Sequence, residues 1–229
     1  MLFSARALHK HYAAGVPGCS AIARVLTGVE LELAQGDVVG IAGRRASGKT
    51  TLLRCVAGLA RPDAGALHWA DGAGRPRLTS ISPAAYPFET VSDVVDRASG
   101  EPAVIPARLD ALIEGLGMVD VLDAAQFALT TCARARLALA IGLATEAPLV
   151  LLDGTPDAIS AAWRAAVRAL LTARADAGGA VLLAGRDEEG VVALGRSVFC
   201  LRDGRLEPVG REQDRRPPAR VAERKPAGG

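Results

Sequence analysis

The residues that most restrict this chain are Gly43-Arg44-Arg45-Ala46-Ser47-Gly48-Lys49-Thr50, which fit the spacing G-x-x-x-x-G-K-[ST]. They lie between the unbroken apolar run 38–42 and a stretch, 51–59, whose apolar residues recur at helical spacing. The order expected is therefore a strand buried on both faces, a tight loop and a helix. In such a loop the glycines let backbone N–H groups curl around phosphate oxygens, and the helix N-terminus adds partial positive charge. Lys49 is placed to reach the outer phosphates and the Thr50 hydroxyl to ligate magnesium. Composition adds an independent argument. The chain has 24 arginines but lysine only at 10, 49 and 225, so a compact ammonium kept at 49 points to a task that a planar guanidinium does not fill.

Three further apolar runs, 149–152, 180–184 and 198–201, have strand length, and an Ala-rich stretch at 161–175 reads as a helix between the first two. Alternation of this kind argues an α/β class with a mostly parallel sheet and helices on its faces. Upstream, Val29-Glu30-Leu31-Glu32-Leu33 alternates as a half-exposed antiparallel strand before the turn at 34–37. Short strands are expected at 66–70 and 77–81, around the turn Asp71-Gly72 and after a helix stop at 61–65. From about 84 to 147 the spacing is helical, with Thr90, Pro106 and Thr131 near helix starts, and reads as a mostly helical subdomain. At 229 residues, half of them hydrophobic, one core is expected over 1–210, followed by a disordered tail over 211–229. No internal repeat is found.

The net charge of +2 is uneven, because the tail holds six basic residues against three acidic ones and leaves the body near −1. With no basic stripe on the body and only four Phe, two Tyr and two Trp, nucleic acid is not an expected partner. There is no run of about 18 apolar residues and no signal-peptide pattern at the start, so a soluble chain made in the cytoplasm is expected. Cys19, Cys55, Cys132 and Cys200 lack metal or redox spacing and are each expected to be small, buried and reduced. His9 and His11 are spaced to share a metal but lack further ligands, and read as solvated strand residues.

With these residues in place, the chain resembles the ATP-binding subunits of ABC transporters from about Tyr12 to Pro208. Tyr12 stands where that family stacks an aromatic on adenine. Residues 43–51 run into Leu52-Leu53-Arg54 and then Ala57-Gly58-Leu59 and Arg61-Pro62-Asp63-Ala64-Gly65, a segment typical of the family. Leu149-Val150-Leu151-Leu152-Asp153 resembles its Walker B strand, and residues 201–206 its closing hairpin. The resemblance implies a P-loop NTPase core with an N-terminal antiparallel β subdomain and the helical subdomain at about 84–147. It implies ATP and Mg2+ as ligands, with the cation held by Thr50 and, through water, by Asp153. Residues 43–51 together with Tyr12 would bind the nucleotide. The partners implied are a transmembrane transporter subunit and a second ATPase subunit, in a homo- or heterodimer. That would place the chain on the cytoplasmic face of a membrane.

The departures fall on the chemistry. Where the family has a water-positioning Glu after the Walker B Asp, this chain has Gly154, and the nearest carboxylate, Asp157, stands where the family's chain leaves the site. The switch His position holds Arg186, which can hold a phosphate charge but cannot shuttle a proton. The loop that carries a Gln in the family corresponds to Ser80-Ile81-Ser82-Pro83, and the subunit-contact Asp corresponds to Ser160. The signature segment aligns with Leu129-Thr130-Thr131-Cys132-Ala133, whose Cβ atoms oppose the close backbone approach that glycines permit.

These substitutions favour a subunit that binds nucleotide but hydrolyses it poorly or not at all, with no catalytic residue at 154 or 186. Two alternatives stay open: an active ATP hydrolase that energises membrane transport with atypical groups, and a soluble nucleotide-binding scaffold detached from any transporter.

Overall fold

The computed structural model describes residues 1–14, 21–80 and 87–209. Its centre is a six-stranded sheet of order β5-β6-β7-β3-β8-β9, built from β3 (Val38–Ala42), β5 (Arg77–Ser80), β6 (Leu149–Asp153), β7 (Ala180–Gly185), β8 (Ser197–Arg202) and β9 (Arg205–Pro208). All neighbours pair parallel except β8 and β9, which form an antiparallel hairpin. Successive side chains of a strand point to opposite faces, and here both faces are dry. Val150, Leu152, Val181 and Leu183 enter one apolar cluster, with the helices of the 91–143 region and α6 (Ala161–Asp176). Leu149, Leu151, Leu182 and Ile41 enter the other, with α1 (Lys49–Val56) and the N-terminal strands. Continuous apolar runs are therefore required, which is why these strands stand out in the sequence.

The second sheet has order β2-β1-β4, antiparallel throughout, from β1 (Phe3–Ala14), β2 (Ala21–Leu33) and β4 (Ala64–Trp69). It differs from the sequence reading at three points. The full twelve-residue β1 lacks a clean alternation because bulges interrupt it, one of them at Ala7 with φ +47°. The strand expected at 29–33 begins at Ala21, since β1 supplies a partner along its whole length. β4 starts inside the stretch read as a helix stop, with Gly65 at φ +91°, where a Cβ would lie 2.3 Å from the Ala7 carbonyl oxygen.

The middle of the chain is helical, as expected. α2 (Val91–Ser99) is capped by Thr90 and Asp93 in a reciprocal box, α3 (Pro106–Gly115) has proline in its first turn, and α4 (Thr131–Leu143) is capped by Thr130. Two short helices follow β6 and β7: α5 (Thr155–Ala158) and α7 (Glu188–Leu194). Cys55 and Cys200 are buried as expected, but Cys132 is only partly so, because it lies in the open first turn of α4. Cys19, residues 81–83 and the expected tail over 211–229 lie outside the described residues. No helix among the described residues is long and apolar enough to cross a membrane.

One polar network ties β1 to the loop before β4. Asp63 accepts from the His11 backbone N–H (2.7 Å) and the Lys10 ammonium (3.0 Å), and its carboxylate lies 2.9 Å from His11 Nδ1. The His11 N–H first, then Lys10, hold the Asp63 carboxyl below its ordinary value of 3.8. A depressed folded value means that the stabilisation is present above the unfolded value and is lost as pH falls through the folded one. Asp63→Asn is expected to be less stable than the wild type near neutral pH and to lose less on acidification, as read from urea midpoints at pH 7 and in the acid limb.

Candidate functional site

Parallel pairing brings three strand ends to one level, with Ala42 opposite Gly185 and Asp153 opposite Ala184. The loops after β3, β6 and β7 therefore open side by side at the carboxyl edge, where ligands of open α/β sheets bind. The loop after β3 is held by close approach rather than by apolar burial. A Cβ on Gly43 would stand 2.7 Å from Ser47 Oγ and 2.9 Å from the Leu201 carbonyl oxygen. Gly48 caps α1 at φ +104°, and a Cβ there would lie 2.9 Å from the Val25 carbonyl oxygen. Ala46 between them also takes positive φ, +62°. The helix starts at Lys49, two residues before the expected 51, since Gly48 supplies the left-handed cap.

Lys49 is 8% exposed, and its ammonium donates to the carbonyls of Gly43 (2.6 Å) and Arg44 (2.8 Å) and to Ser47 Oγ (3.3 Å). Burial lowers its pKa, partly offset by the Asp157 and Asp153 carboxylates. The cation is thus positioned inside the loop by its own backbone, next to the N-terminus of α1. The Thr50 hydroxyl donates to Asp153 Oδ2 at 2.8 Å, across 103 residues of chain. These two oxygens are hard donors on one side of an open space, and among the described residues no cluster of three or more metal-binding side chains adds to them. Such a sparse oxygen set suits Mg2+, which keeps several waters and takes the rest of its ligands from phosphates.

A cavity of about 260 Å3 runs along the loop from Lys49, Thr50 and Thr51, past Ala46, Ser47 and Gly48, to Tyr12 and Val25. The expected site residues from 46 to 51 and Tyr12 therefore meet in one place, although β1 and the loop are far apart in sequence. Tyr12 is partly exposed, with the Lys10 ammonium 5.3 Å from its ring centre. Val25 was not legible as a site residue, because its part is a backbone contact with Gly48. Gly43, Arg44 and Arg45 face a second, larger cavity on the other flank of the loop.

The positions where residues depart from the resemblance are also placed. Gly154 takes φ +78° as the cap of α5, its N–H donates to the Ala184 carbonyl (2.9 Å), and a Cβ would meet nothing within 4 Å. Asp157 corrects an expectation, for its chain does not leave the site. The single turn of α5 folds its carboxylate back under β7, where it accepts from the Arg186 N–H (2.6 Å), Arg186 Nε (3.0 Å) and the Asp187 N–H (2.9 Å). Asp157 is 15% exposed against 61% for Arg186, so the pair is anchored at the acid and open at the guanidinium. Ser160 stands at the N-cap position of α6 without a side-chain capping bond and accepts from Cys132 Sγ at 3.8 Å, which joins the signature position to the chain after Walker B. Leu129 and Ala133 are buried and Thr130 Oγ1 accepts from the Ala133 N–H (3.1 Å), so Thr131 and Cys132 form the first turn of α4. None of residues 129–133 lines either cavity beside the phosphate loop. His11 bonds Asp63, and His9 is exposed on β1.

The family model described as ABC transporter matches residues 26–155. The aliphatic sulfonates import ATP-binding protein of Burkholderia lata is 34% identical over 186 residues, which is 80% of this chain and 58% of that protein. This chain belongs to the ABC transporter ATP-binding family. A protein of the same description from Rhodopseudomonas palustris is 31% identical over 80% of this chain and 67% of its own length. The chain thus spans less than two thirds of the Burkholderia relative. Among solved structures, the cassette MJ0796 in a dimeric post-hydrolysis state with ADP and Pi superposes with TM-score 0.74 at 19% identity, over 90% of this chain and 97% of that one. A nucleotide-free ATP-binding cassette gives 0.71 at 15%, over 93% and 92%. At these identities the likeness concerns the fold, which is that of an ABC cassette.

The loop of this cassette depends on Lys49 for its charge and on Gly48 for its shape. Lys49→Ala is expected to weaken Mg-ATP binding by about tenfold or more, roughly 1.4 kcal/mol, in calorimetric titration. Gly48→Val, with a strained backbone and a contact on Val25, should weaken it at least as much. Unchanged affinity in both would overturn the placement of the phosphates.

Proposed function

We propose that this chain is the ATP-binding subunit of an ABC transporter and that it holds Mg-ATP while hydrolysing it poorly or not at all. Binding is supported by the buried ammonium of Lys49, the left-handed cap at Gly48 and the Thr50–Asp153 pair. Thr50 and Asp153 would hold the Mg2+, which neutralises phosphate charge when bound. Tyr12 stands at the far end of the cavity, where a planar base can rest on its ring.

The observation that carries the weak-hydrolysis reading is the state of the carboxylates around that loop. Position 154 has no side chain, and Asp157, the carboxylate that the turn of α5 returns to its side, is occupied by three donors from Arg186 and Asp187. A carboxylate so engaged orients the guanidinium, and its oxygens are turned to these donors rather than to a water. Arg186 in turn can stabilise phosphate charge but relays no proton. Loss of a water-positioning group or a charge-stabilising contact typically costs two or more orders of magnitude in rate.

A second reading, an active hydrolase, is favoured by the relatives, which are described as import ATP-binding proteins. Steady-state phosphate release at saturating Mg-ATP separates the two. The wild type is expected below about 0.01 per second, one hundredth of the low end of common turnover numbers. A rate near 1 per second that disappears in Lys49→Ala would establish the hydrolase instead. Gly154→Glu alone is expected to stay at background. The added side chain has room, but the backbone at φ +78° opposes it and Arg186 remains.

Docking on a transmembrane subunit is supported by the aromatic pair Phe88 and Phe127, 83% and 62% exposed with ring centres 5.8 Å apart. The Thr90–Ala125 bridge and the Phe127 N–H bond to the Pro87 carbonyl (3.0 Å) hold them on the rim of the helical subdomain. Two large rings exposed to this degree suit an apolar cytoplasmic helix of that partner. Phe88→Ser/Phe127→Ser should abolish co-purification with the transmembrane subunit while leaving Mg-ATP affinity unchanged. Retained co-purification would remove the pair from the interface.

A further inference from the structure

Lysine is scarce in this chain, and the two lysines among its described residues both stand at the cavity along the phosphate loop. Lys49 sits in the loop itself, and the Lys10 ammonium lies over the Tyr12 ring, 5.3 Å from its centre. Tyr12 lines the cavity and Lys10 does not. Nothing in the binding of phosphates or magnesium accounts for a cation at that ring.

The backbone shows why this end of β1 needs holding. β4 leaves β1 after the pair His9–Ala64, whereas β2 follows it to Ala14. Tyr12 is therefore carried on a two-stranded ribbon, an arrangement of little stability by itself. Asp63 closes the open edge. Its N–H donates to the His9 carbonyl (2.9 Å), and its Oδ2 accepts from the next donor of that edge, the His11 N–H (2.7 Å). Its Oδ1 takes the Lys10 ammonium at 3.0 Å. Lys10 and Tyr12 are two residues apart on a strand and so share a face, which delivers an ammonium held by Asp63 to the ring. The odd residue is on β2. Lys10 pairs with Leu26 and His11 with Arg24, and Val25 between them bulges to line the cavity with Tyr12.

The choice of lysine fits this geometry. Each Asp63 oxygen has its own partner, and a compact ammonium needs only one of them. A guanidinium fork matches both oxygens of a carboxylate and would compete with the His11 N–H. The Lys10 side chain is 15% exposed, so its charge is only partly screened by water. A cation on one face of an aromatic ring draws π charge toward itself and leaves the other face open to a flat, electron-rich partner.

We propose that Lys10 and Asp63 are positioning residues for the base of the bound nucleotide. Asp63 fixes the ammonium on one face of Tyr12, and the ring so held and polarised receives a purine on the other. The inference rests on Tyr12 being the base platform of the cavity.

Two ligands separate the base from the phosphates: Mg-ATP and magnesium tripolyphosphate, each titrated calorimetrically into the whole protein. Their affinity ratio is read on one and the same protein, so a folded fraction below one cancels from it. Wild type should prefer ATP. Y12A should lose about tenfold of that preference, and K10M about two- to fivefold, each with tripolyphosphate affinity kept within about twofold. D63N, which leaves the ammonium without its anchor, should follow K10M. In K10M/Y12A the lysine change should have no effect beyond that of Y12A, because it acts through the ring. The role of Lys10 is overturned if K10M keeps the wild-type preference, or weakens both ligands alike as the mere loss of a positive charge would. Additive effects in K10M/Y12A overturn it as well, and a wild-type preference in D63N removes Asp63. If Y12A also keeps the preference, the base-platform reading fails together with the proposal. If Y12A loses it and K10M does not, the proposal alone fails.

Discussion

The structure depends on the parallel hydrogen-bonded register of β6, β7 and β3, which sets Asp153, Ala184 and Gly185 level with Ala42. A slip of one residue would turn each strand's side chains to the opposite face, and both faces are packed dry, so the register has no alternative. Three loops then leave the sheet at one height and in a fixed lateral order. The Thr50–Asp153 bond and the Asp157–Arg186 pair each cross from one of these loops to another. Neither exists without the register, because neither pair is near in sequence.

How much of this the sequence disclosed follows from what kind of force makes each part. The parallel strands were readable because burial on both faces demands unbroken apolar runs, as in Val38-Val39-Gly40-Ile41-Ala42. The helix starts near Thr90, Pro106 and Thr131 were readable because capping is local chemistry. The bounds of β1 were hidden because its bulges interrupt the alternation, and the start of β4 because it lies among turn residues that here form a sheet bulge against Ala7. The loop motif gave Lys49 and Thr50 directly. Val25 gave no signal, since its contact with Gly48 comes from β2 closing on the loop from outside.

Asp157 shows the same limit from the other side. Counted along the chain it lies three residues past Gly154, on the way out of the site. One helical turn and a left-handed cap at Gly154 bring its carboxylate beneath Arg186. Sequence distance from a motif is a poor measure of spatial distance where a short helix follows a glycine. The pairing also changes what both residues are able to do, for the acid's oxygens are taken up by three donors and a guanidinium held through Nε is a directed cation.

The binding half and the chemical half of the site rest on different physical supports. Gly43 and Gly48 are closed in by backbone atoms within 3 Å of any added Cβ, and Lys49 is buried among carbonyls, so substitution there strains the same packing that joins the loop to β2 and β8. Gly154 has open space around it, and the Arg186 side chain is mostly exposed. Side chains at those two positions contribute little to the core, so packing places little restriction on them, and at 154 the restriction that remains is the left-handed backbone. A cassette can therefore change the groups at 154 and 186 without losing the loop that would hold the triphosphate, whereas the reverse change would disturb the fold. The groups that would bind are locked into the sheet's carboxyl edge, and the positions that would turn over face solvent.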